Sequence, residues 1–153
     1  MTIDVGSKAP AFDMETDTGR VSLGALNGKT VVLYFYPKDD TPGCTNEGKD
    51  FSALLPEFQK AGAVVIGASK DSVKAHAKFR AKYELKVELA SDPEGQTIEA
   101  YSSWVEKSLY GRQYMGIDRS TFVIDGSGVI RAVWHKVKVA GHAEAVLKAV
   151  QGL

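Results

Sequence analysis

The sequence predicts an α/β fold in which helices flank a mixed central β-sheet. Three observations predict it. Two short apolar runs, Val31 to Tyr36 and Ala63 to Ala68, read as buried strands, and each is followed by a segment suited to a helix. Further on, two strand-like runs flank the turn Asp125-Gly126-Ser127-Gly128 and read as a hairpin. The chain then closes on a helical face formed by Ala143, Val146, Leu147 and Val150.

The elements follow in order. Phe12 to Glu15 and Arg20 to Ser22 form short strands around the turn Asp17-Thr18-Gly19. Thr30 to Tyr36 is the clearest strand, β-branched and aromatic, and Pro37 stops it. After a polar loop, Lys38 to Gly43, a helix begins near Cys44, with Phe51, Leu54, Leu55 and Phe58 on one face and a kink expected at Pro56. Ala63 to Ala68 is the second buried strand. Asp71 or Ser72 caps the next helix, which reaches about Tyr83. Val73, Ala75, Ala77, Phe79 and Ala81 alternate as in a strand, but length, the cap and the Ala/Lys content favour helix. Val87 to Ala90 is a short strand, and Pro93, after Asp92, opens a further helix. Ser120 to Asp125 and Val129 to His135 form the hairpin, and the last helix follows.

A length of 153 residues fits one domain, residues 1–153, without linker, repeat or low-complexity stretch. A chain of this size buries roughly 70% of its unfolded surface and needs neither disulfide nor structural metal. Hydrophobic residues make up 44% and charged residues 25%, which is ordinary globular composition. Lysine plus arginine total 19, as do aspartate plus glutamate, so no nucleic acid or anionic membrane is expected as a partner. No basic and apolar leader opens the chain, and its apolar runs are too short to span a bilayer, so the cytosol is the expected location.

Several chemistries drop out. His76, His135 and His142 have no carboxylate or cysteine at ligand spacing, so no metal is expected and the three read as solvated or satisfied side chains. Gly126-Ser127-Gly128 lies between strands and lacks a third glycine, so it is a turn rather than a dinucleotide loop. Neither a Walker lysine motif nor a Gly-x-Ser-x-Gly elbow is present, and Trp104 and Trp134 read as core aromatics. No cofactor is expected.

Cys44 is the sole cysteine. It excludes an intramolecular disulfide and a multi-cysteine zinc site, and it requires any redox partner thiol to come from outside the chain. A strand ends at Pro37, a polar loop follows, and Cys44 stands where a helix begins. The first helical N–H groups lack intrahelical acceptors, and the partial positive charge there favours thiolate over thiol. Thr41 lies three residues earlier and carries a hydroxyl that can both donate and accept. Pro42 stiffens the turn, and Gly43 allows a close approach to the backbone. Thr, Pro, Gly, Thr and Asn around the cysteine are loop and cap residues, which suits a reactive thiol. Spacing alone leaves that reading level with a buried, inert cysteine.

The pattern Pro37-x-x-x-Thr41-x-x-Cys44 resembles the active-site signature of peroxiredoxins. The longer run Phe35-Tyr36-Pro37-Lys38-Asp39-Asp40-Thr41-Pro42-Gly43-Cys44-Thr45-x-Glu47 is similar to the bacterioferritin-comigratory, or Q-type, subfamily. Collinear stretches extend the resemblance over nearly the whole chain: Ala9-Pro10-x-Phe12, Leu89 to Pro93, Arg119 to Asp125, and Val137-Lys138-Val139-x-Gly141-His142.

The resemblance implies a thioredoxin-like fold with a peroxiredoxin-type N-terminal extension, and a thiol-dependent peroxidase reducing hydrogen peroxide and organic hydroperoxides. It implies that Cys44 is the attacking thiolate, that Thr41 positions the peroxide, and that Arg119 stabilises both thiolate and leaving oxygen. Pro37 would shield the pocket, the backbone N–H groups of Gly43 and Cys44 would cradle substrate, and Glu47 would orient the arginine or stabilise the helix dipole. No role follows for Arg112 or Lys38. Many Q-type relatives carry a resolving cysteine five residues after the attacking one, where this chain has Lys49. The sulfenic acid on Cys44 must then be resolved by an external thiol from thioredoxin, glutaredoxin with glutathione, or a similar reductant. A monomer is expected. The competing readings are a peroxide sensor that relays oxidation to a protein partner, and a non-catalytic binding module with an inert cysteine.

Overall fold

The computed structural model describes residues 3–153. In chain order the elements are β1 (Asp13–Thr16), β2 (Gly19–Ser22), a 3-10 turn (Gly24–Leu26), β3 (Thr30–Phe35), α1 (Pro42–Lys60), β4 (Ala63–Ser69), α2 (Val73–Tyr83), β5 (Glu88–Ser91), α3 (Gln96–Ala100), β6 (Trp104–Leu109), β7 (Arg112–Ile117), β8 (Ser120–Ile124), β9 (Ile130–Trp134) and α4 (His142–Gln151).

Seven strands form one sheet in the order β2-β1-β5-β4-β3-β8-β9. β3, β4 and β5 are parallel, while β8 lies antiparallel on β3 and β9 on β8. β1 extends the other side, antiparallel to β5. The expected mixed sheet is therefore present, with parallel strands in its middle and antiparallel ones at both sides.

The period-2 alternation of β3 divides the core. Val31, Leu33 and Phe35 join Ile66, Ile98, Tyr101 and Phe122 on one face. Val32, Tyr34 and Tyr36 face the other way, onto Phe51 and Phe58 of α1, Phe79 of α2, and Val146 and Val150 of α4. Tyr34 stacks on Phe51 with ring centroids 4.6 Å apart. It also fills the place of a side chain on β4: a Cβ on Gly67 would stand 2.6 Å from the Tyr34 ring, so this strand position accepts only glycine.

Local expectations differ from the structure at four places. α1 begins at Pro42 rather than near Cys44, because proline suits the first helical position, where no N–H is needed. It runs on through Pro56 as one helix. The helix expected at Pro93 begins at Gln96 instead; Gly95, at φ 76, turns the chain, and Asp92 Oδ2 accepts the Ile98 N–H at 2.8 Å. The hairpin β6–β7 was not expected. Its two-residue turn, Tyr110-Gly111, has both φ values positive (51 and 77), the mirror-image turn usually signalled by Asn-Gly. Most of its strand residues are exposed or half-buried, so no apolar alternation marks it. The ambiguous segment after β4 is a helix, with Ser72 Oγ accepting the Ala75 N–H at 3.1 Å. Among the described residues no helix is long and apolar enough to cross a membrane.

Candidate active site

The chain leaves β3 at Tyr36, turns through Pro37 to Asp40 and enters α1, so the N-terminus of α1 sits beyond the carboxyl ends of the parallel strands. That is where open α/β sheets place ligands. Thr41 is the N-cap and Pro42 the first helical residue, which makes Cys44 part of the first turn. The first helical hydrogen bond runs from Thr45 N–H to Thr41 carbonyl at 2.8 Å. The N–H groups of Gly43 and Cys44 precede it and have no acceptor within the helix. Cys44 is 2% exposed.

Arg119 arrives from the opposite direction. Ser120 pairs with Phe35, so the residue before β8 lies beside the segment leaving β3. The Arg119 carbonyl accepts the Val137 N–H at 2.9 Å, which ties this position to the chain beyond β9. Its guanidinium makes two charge-assisted contacts, as a planar fork of donors allows. Nη1 donates to Glu47 Oε1 at 2.7 Å, and Nη2 donates to Cys44 Sγ at 3.3 Å. Burial works against the guanidinium charge, but Glu47 and Cys44 outweigh it and raise its pKa.

Glu47 lies one helical turn beyond Gly43 and is buried. Burial pushes its carboxyl from 4.5 up to about 7, with Arg119 pulling the other way. Oε1 takes the arginine, while Oε2 is buried with no hydrogen-bond partner.

Thr41 is half-buried, and its hydroxyl does not cap the helix. It donates instead to the Lys38 carbonyl at 2.8 Å. The proton is thereby committed, and the oxygen lone pairs are left to accept from a ligand. Gly43 does allow a close approach, but the group that approaches is Arg119: a Cβ here would be 3.0 Å from Nη2. Pro37 is exposed immediately after Tyr36. Lys49 is also exposed, its ammonium 5.3 Å over the Tyr83 ring, and Lys38 and Arg112 face solvent.

The fold thus brings Thr41, Gly43, Cys44, Glu47 and Arg119 together. Sequence reasoning missed the supports behind them. His76 is wholly buried and bonded to Asp39, 37 positions away, at 2.7 Å. His142, at the start of α4, meets Thr121 Oγ1 through Nε2 at 2.8 Å, and His135 meets Asp118 at 2.9 Å. No local spacing rule joins such pairs, whose members stand 17 to 37 positions apart. Among the described residues no group of three or more His, Cys, Asp or Glu is placed to hold a metal ion.

Known proteins share this arrangement of elements. The AhpC/TSA family model matches residues 5–133. A putative peroxiredoxin bcp from Coxiella burnetii is 53% identical over 148 residues, covering 96% of this chain and 98% of that protein. Peroxiredoxin Bcp of Bacillus subtilis is 44% identical over 154 residues, covering 100% and 98%. The solved structure of the Xanthomonas campestris bacterioferritin comigratory protein, described for its alkyl peroxide reduction activity, superposes with a TM-score of 0.91 at 46% identity, covering 97% of this chain and 98% of that one. A cysteine mutant of Xylella fastidiosa PrxQ gives 0.93 at 36% identity, covering 99% and 98%. The expected thioredoxin-like fold, extended at its N-terminal side by β1 and β2, is therefore the fold of this chain. Identity of this extent over nearly complete chains reflects common descent as well as a common fold: the chain belongs to the AhpC/TSA family, in its bacterioferritin-comigratory (Q-type) peroxiredoxin branch, and is an enzyme of that class with a single cysteine.

Proposed function

We propose that this peroxiredoxin works by a one-cysteine mechanism, with Cys44 reducing hydrogen peroxide and organic hydroperoxides and an external thiol completing each turnover. The observation that carries the reading is the Arg119 fork, one arm on Cys44 Sγ at 3.3 Å and the other on Glu47 at 2.7 Å, at the open N-terminus of α1. A thiolate here has a guanidinium and helix N–H groups to hold its charge.

In the first step the Cys44 sulfur attacks the terminal peroxide oxygen. A sulfur–oxygen bond forms and the oxygen–oxygen bond breaks, leaving its electron pair on the departing oxygen. That oxygen takes a proton from solvent and leaves as water or alcohol, and Cys44 becomes a sulfenic acid. Thr41, its own proton engaged by Lys38, accepts a hydrogen bond from the peroxide O–H. Arg119 and the N–H groups of Gly43 and Cys44 stabilise the charge that moves onto the leaving oxygen. Glu47 holds the guanidinium in place, and Pro37 covers the mouth of the site.

With no second cysteine in the chain, the resolving thiol is external. It attacks the sulfenic sulfur, water leaves, and a mixed disulfide forms; a further thiol then releases reduced Cys44. Thioredoxin, or glutathione with glutaredoxin, supplies these thiols to residues 1–153, a single monomeric domain in the cytosol.

Stopped-flow mixing of the reduced protein with hydrogen peroxide and with an organic hydroperoxide tests the first step. Loss of the thiol orders of magnitude faster than for free cysteine is expected, and a rate no faster would overturn the reading. Steady-state turnover with each reductant tests the second. Should none sustain turnover while a partner protein becomes cross-linked to Cys44, the chain is a peroxide sensor instead.

A further inference from the structure

Behind the active-site turn lies a buried charged cluster that the steps above do not use. His76, on α2, is fully buried. Its Nδ1 lies 2.7 Å from Asp39 Oδ2, and its Nε2 lies 2.9 Å from the Ala90 carbonyl on β5. A carbonyl can only accept, so Nε2 carries a proton. Asp39 accepts the Tyr36 hydroxyl on Oδ1 at 2.6 Å, which leaves Oδ2 to accept from a protonated Nδ1. A ring that donates at both nitrogens is an imidazolium, the form assigned to His76.

The cluster reaches the site through one peptide group. The Asp39 N–H donates to Asp71 Oδ2 at 2.9 Å, and the carbonyl of the same peptide, that of Lys38, accepts the Thr41 hydroxyl at 2.8 Å. Asp71 is fixed in turn by Ser69 Oγ at 2.6 Å. The next residue, Asp40, adopts φ 60, and its carboxylate accepts from Lys82 and Tyr83 of α2. Helix α2 therefore grips the turn at two consecutive aspartates, and the orientation of the gripped peptide decides where the Thr41 lone pairs point.

We propose that His76 is a positioning residue for the peroxide reaction: as an imidazolium it ties Asp39 to α2 and, through the Ala90 carbonyl, to β5, and so fixes the peptide that aims the Thr41 hydroxyl. The proposal rests on Cys44 being the attacking thiol and Thr41 the peroxide acceptor. The titratable groups facing His76 are Tyr36 and Asp39, from the end of β3 and its following turn, and Asp71, from the segment before α2; β5 supplies the Ala90 carbonyl. Burial opposes the imidazolium, but Asp39, Ala90 and Asp71 outweigh it and raise its pKa above the ordinary 6.5. The lock is thus held below the raised value and opens as pH rises through it.

Three measurements test it on the full chain. Nitrogen-15 NMR at pH 6, below the ordinary value, is expected to show both His76 nitrogens protonated; a neutral tautomer would overturn the proposal. Oxidation of Cys44 by hydrogen peroxide is expected to slow by about one to two orders of magnitude in His76→Ala, the scale of a misplaced contact group. In a Thr41→Val background the same substitution should add less than about twofold, since the two residues act through one contact. An unchanged rate in His76→Ala, or an equal slowing in both backgrounds, would overturn the proposal. Should His76→Ala fail to fold, Asp39→Asn keeps the shape and the Tyr36 contact; it too must slow oxidation, and a wild-type rate would overturn the proposal. Wild-type protein that reacts no faster than free cysteine refutes the Cys44 reading itself, whereas fast wild type with equally fast variants refutes only the role of His76.

Discussion

Gly43 and Arg119 compete for one space. A Cβ on residue 43 would stand 3.0 Å from Arg119 Nη2, the nitrogen that donates to Cys44 Sγ at 3.3 Å. The missing side chain is what lets a guanidinium lie flat against the first turn of α1.

Gly43→Ala separates function from stability. Alanine suits a helix better than glycine by about 0.5–1 kcal/mol, so the melting temperature should hold or rise. The guanidinium must shift, and peroxide oxidation of Cys44 should slow by about tenfold, as expected for a weakened charge-stabilising contact. Stopped-flow rates beside thermal unfolding check this; an unchanged rate would show that Arg119 yields without consequence.

Arg119→Lys keeps the charge but loses the fork. A lysine ammonium is a point charge that cannot span Glu47 and Cys44 in one plane. Oxidation should fall by about 10²-fold, and Arg119→Ala should lose more, on the order of 10³-fold, while remaining folded. Circular dichroism and the oxidation rate decide the matter, and an unaltered rate in Arg119→Ala would remove this residue from the site.

Glu47 gives stability a pH signature. Burial lifts its carboxyl from 4.5 to about 7. Between those values the folded chain keeps a proton that the unfolded chain has lost, so this contribution is complete below the unfolded value and fades as pH rises through the folded one. The shift corresponds to about 3 kcal/mol. Urea unfolding across pH 4.5 to 7.5 should show the wild type losing stability relative to Glu47→Gln as pH rises; parallel curves would contradict it.

His142 acts with the opposite sign. Burial first, then the charge of Arg119, lowers it from 6.5 to about 4. The unfolded chain takes up a proton in that window before the folded one does, so stability is full above the unfolded value and declines as pH falls through the folded one, again by about 3 kcal/mol. The two effects partly cancel in the wild type. His142→Gln should therefore expose the Glu47 fall as pH rises from 4.5, while Glu47→Gln should expose the His142 decline as pH falls from 6.5. An acid limb unchanged in His142→Gln would mean the histidine is already charged in the fold.

The strands β3, β4 and β8 and the helices α1 and α4 were legible because each buries a run or face written locally, whereas α2 was legible from its cap, length and Ala/Lys content. Cys44, Thr41 and the turn between β3 and α1 were legible for a similar reason: cap and turn residues act on neighbours in the chain. The hairpin β6–β7 was not, since exposed strands carry no apolar alternation and Tyr110-Gly111 is an unusual pair for its turn. Glu47 offered two roles, the helix dipole or an arginine, and the structure places its carboxylate against Arg119.

By itself, the sequence determined that one thiol, at the start of a helix, must carry any redox chemistry, because composition and local capping are properties of the chain alone. Only the tertiary structure decided what surrounds that thiol. The antiparallel placement of β8 on β3 delivers Arg119 to the sulfur, and the packing of α2 against β5 sets a buried histidine behind the turn. Both depend on contacts between residues far apart in the chain, where the energy of burial and charge pairing is settled by the sheet order and not by any spacing along the sequence.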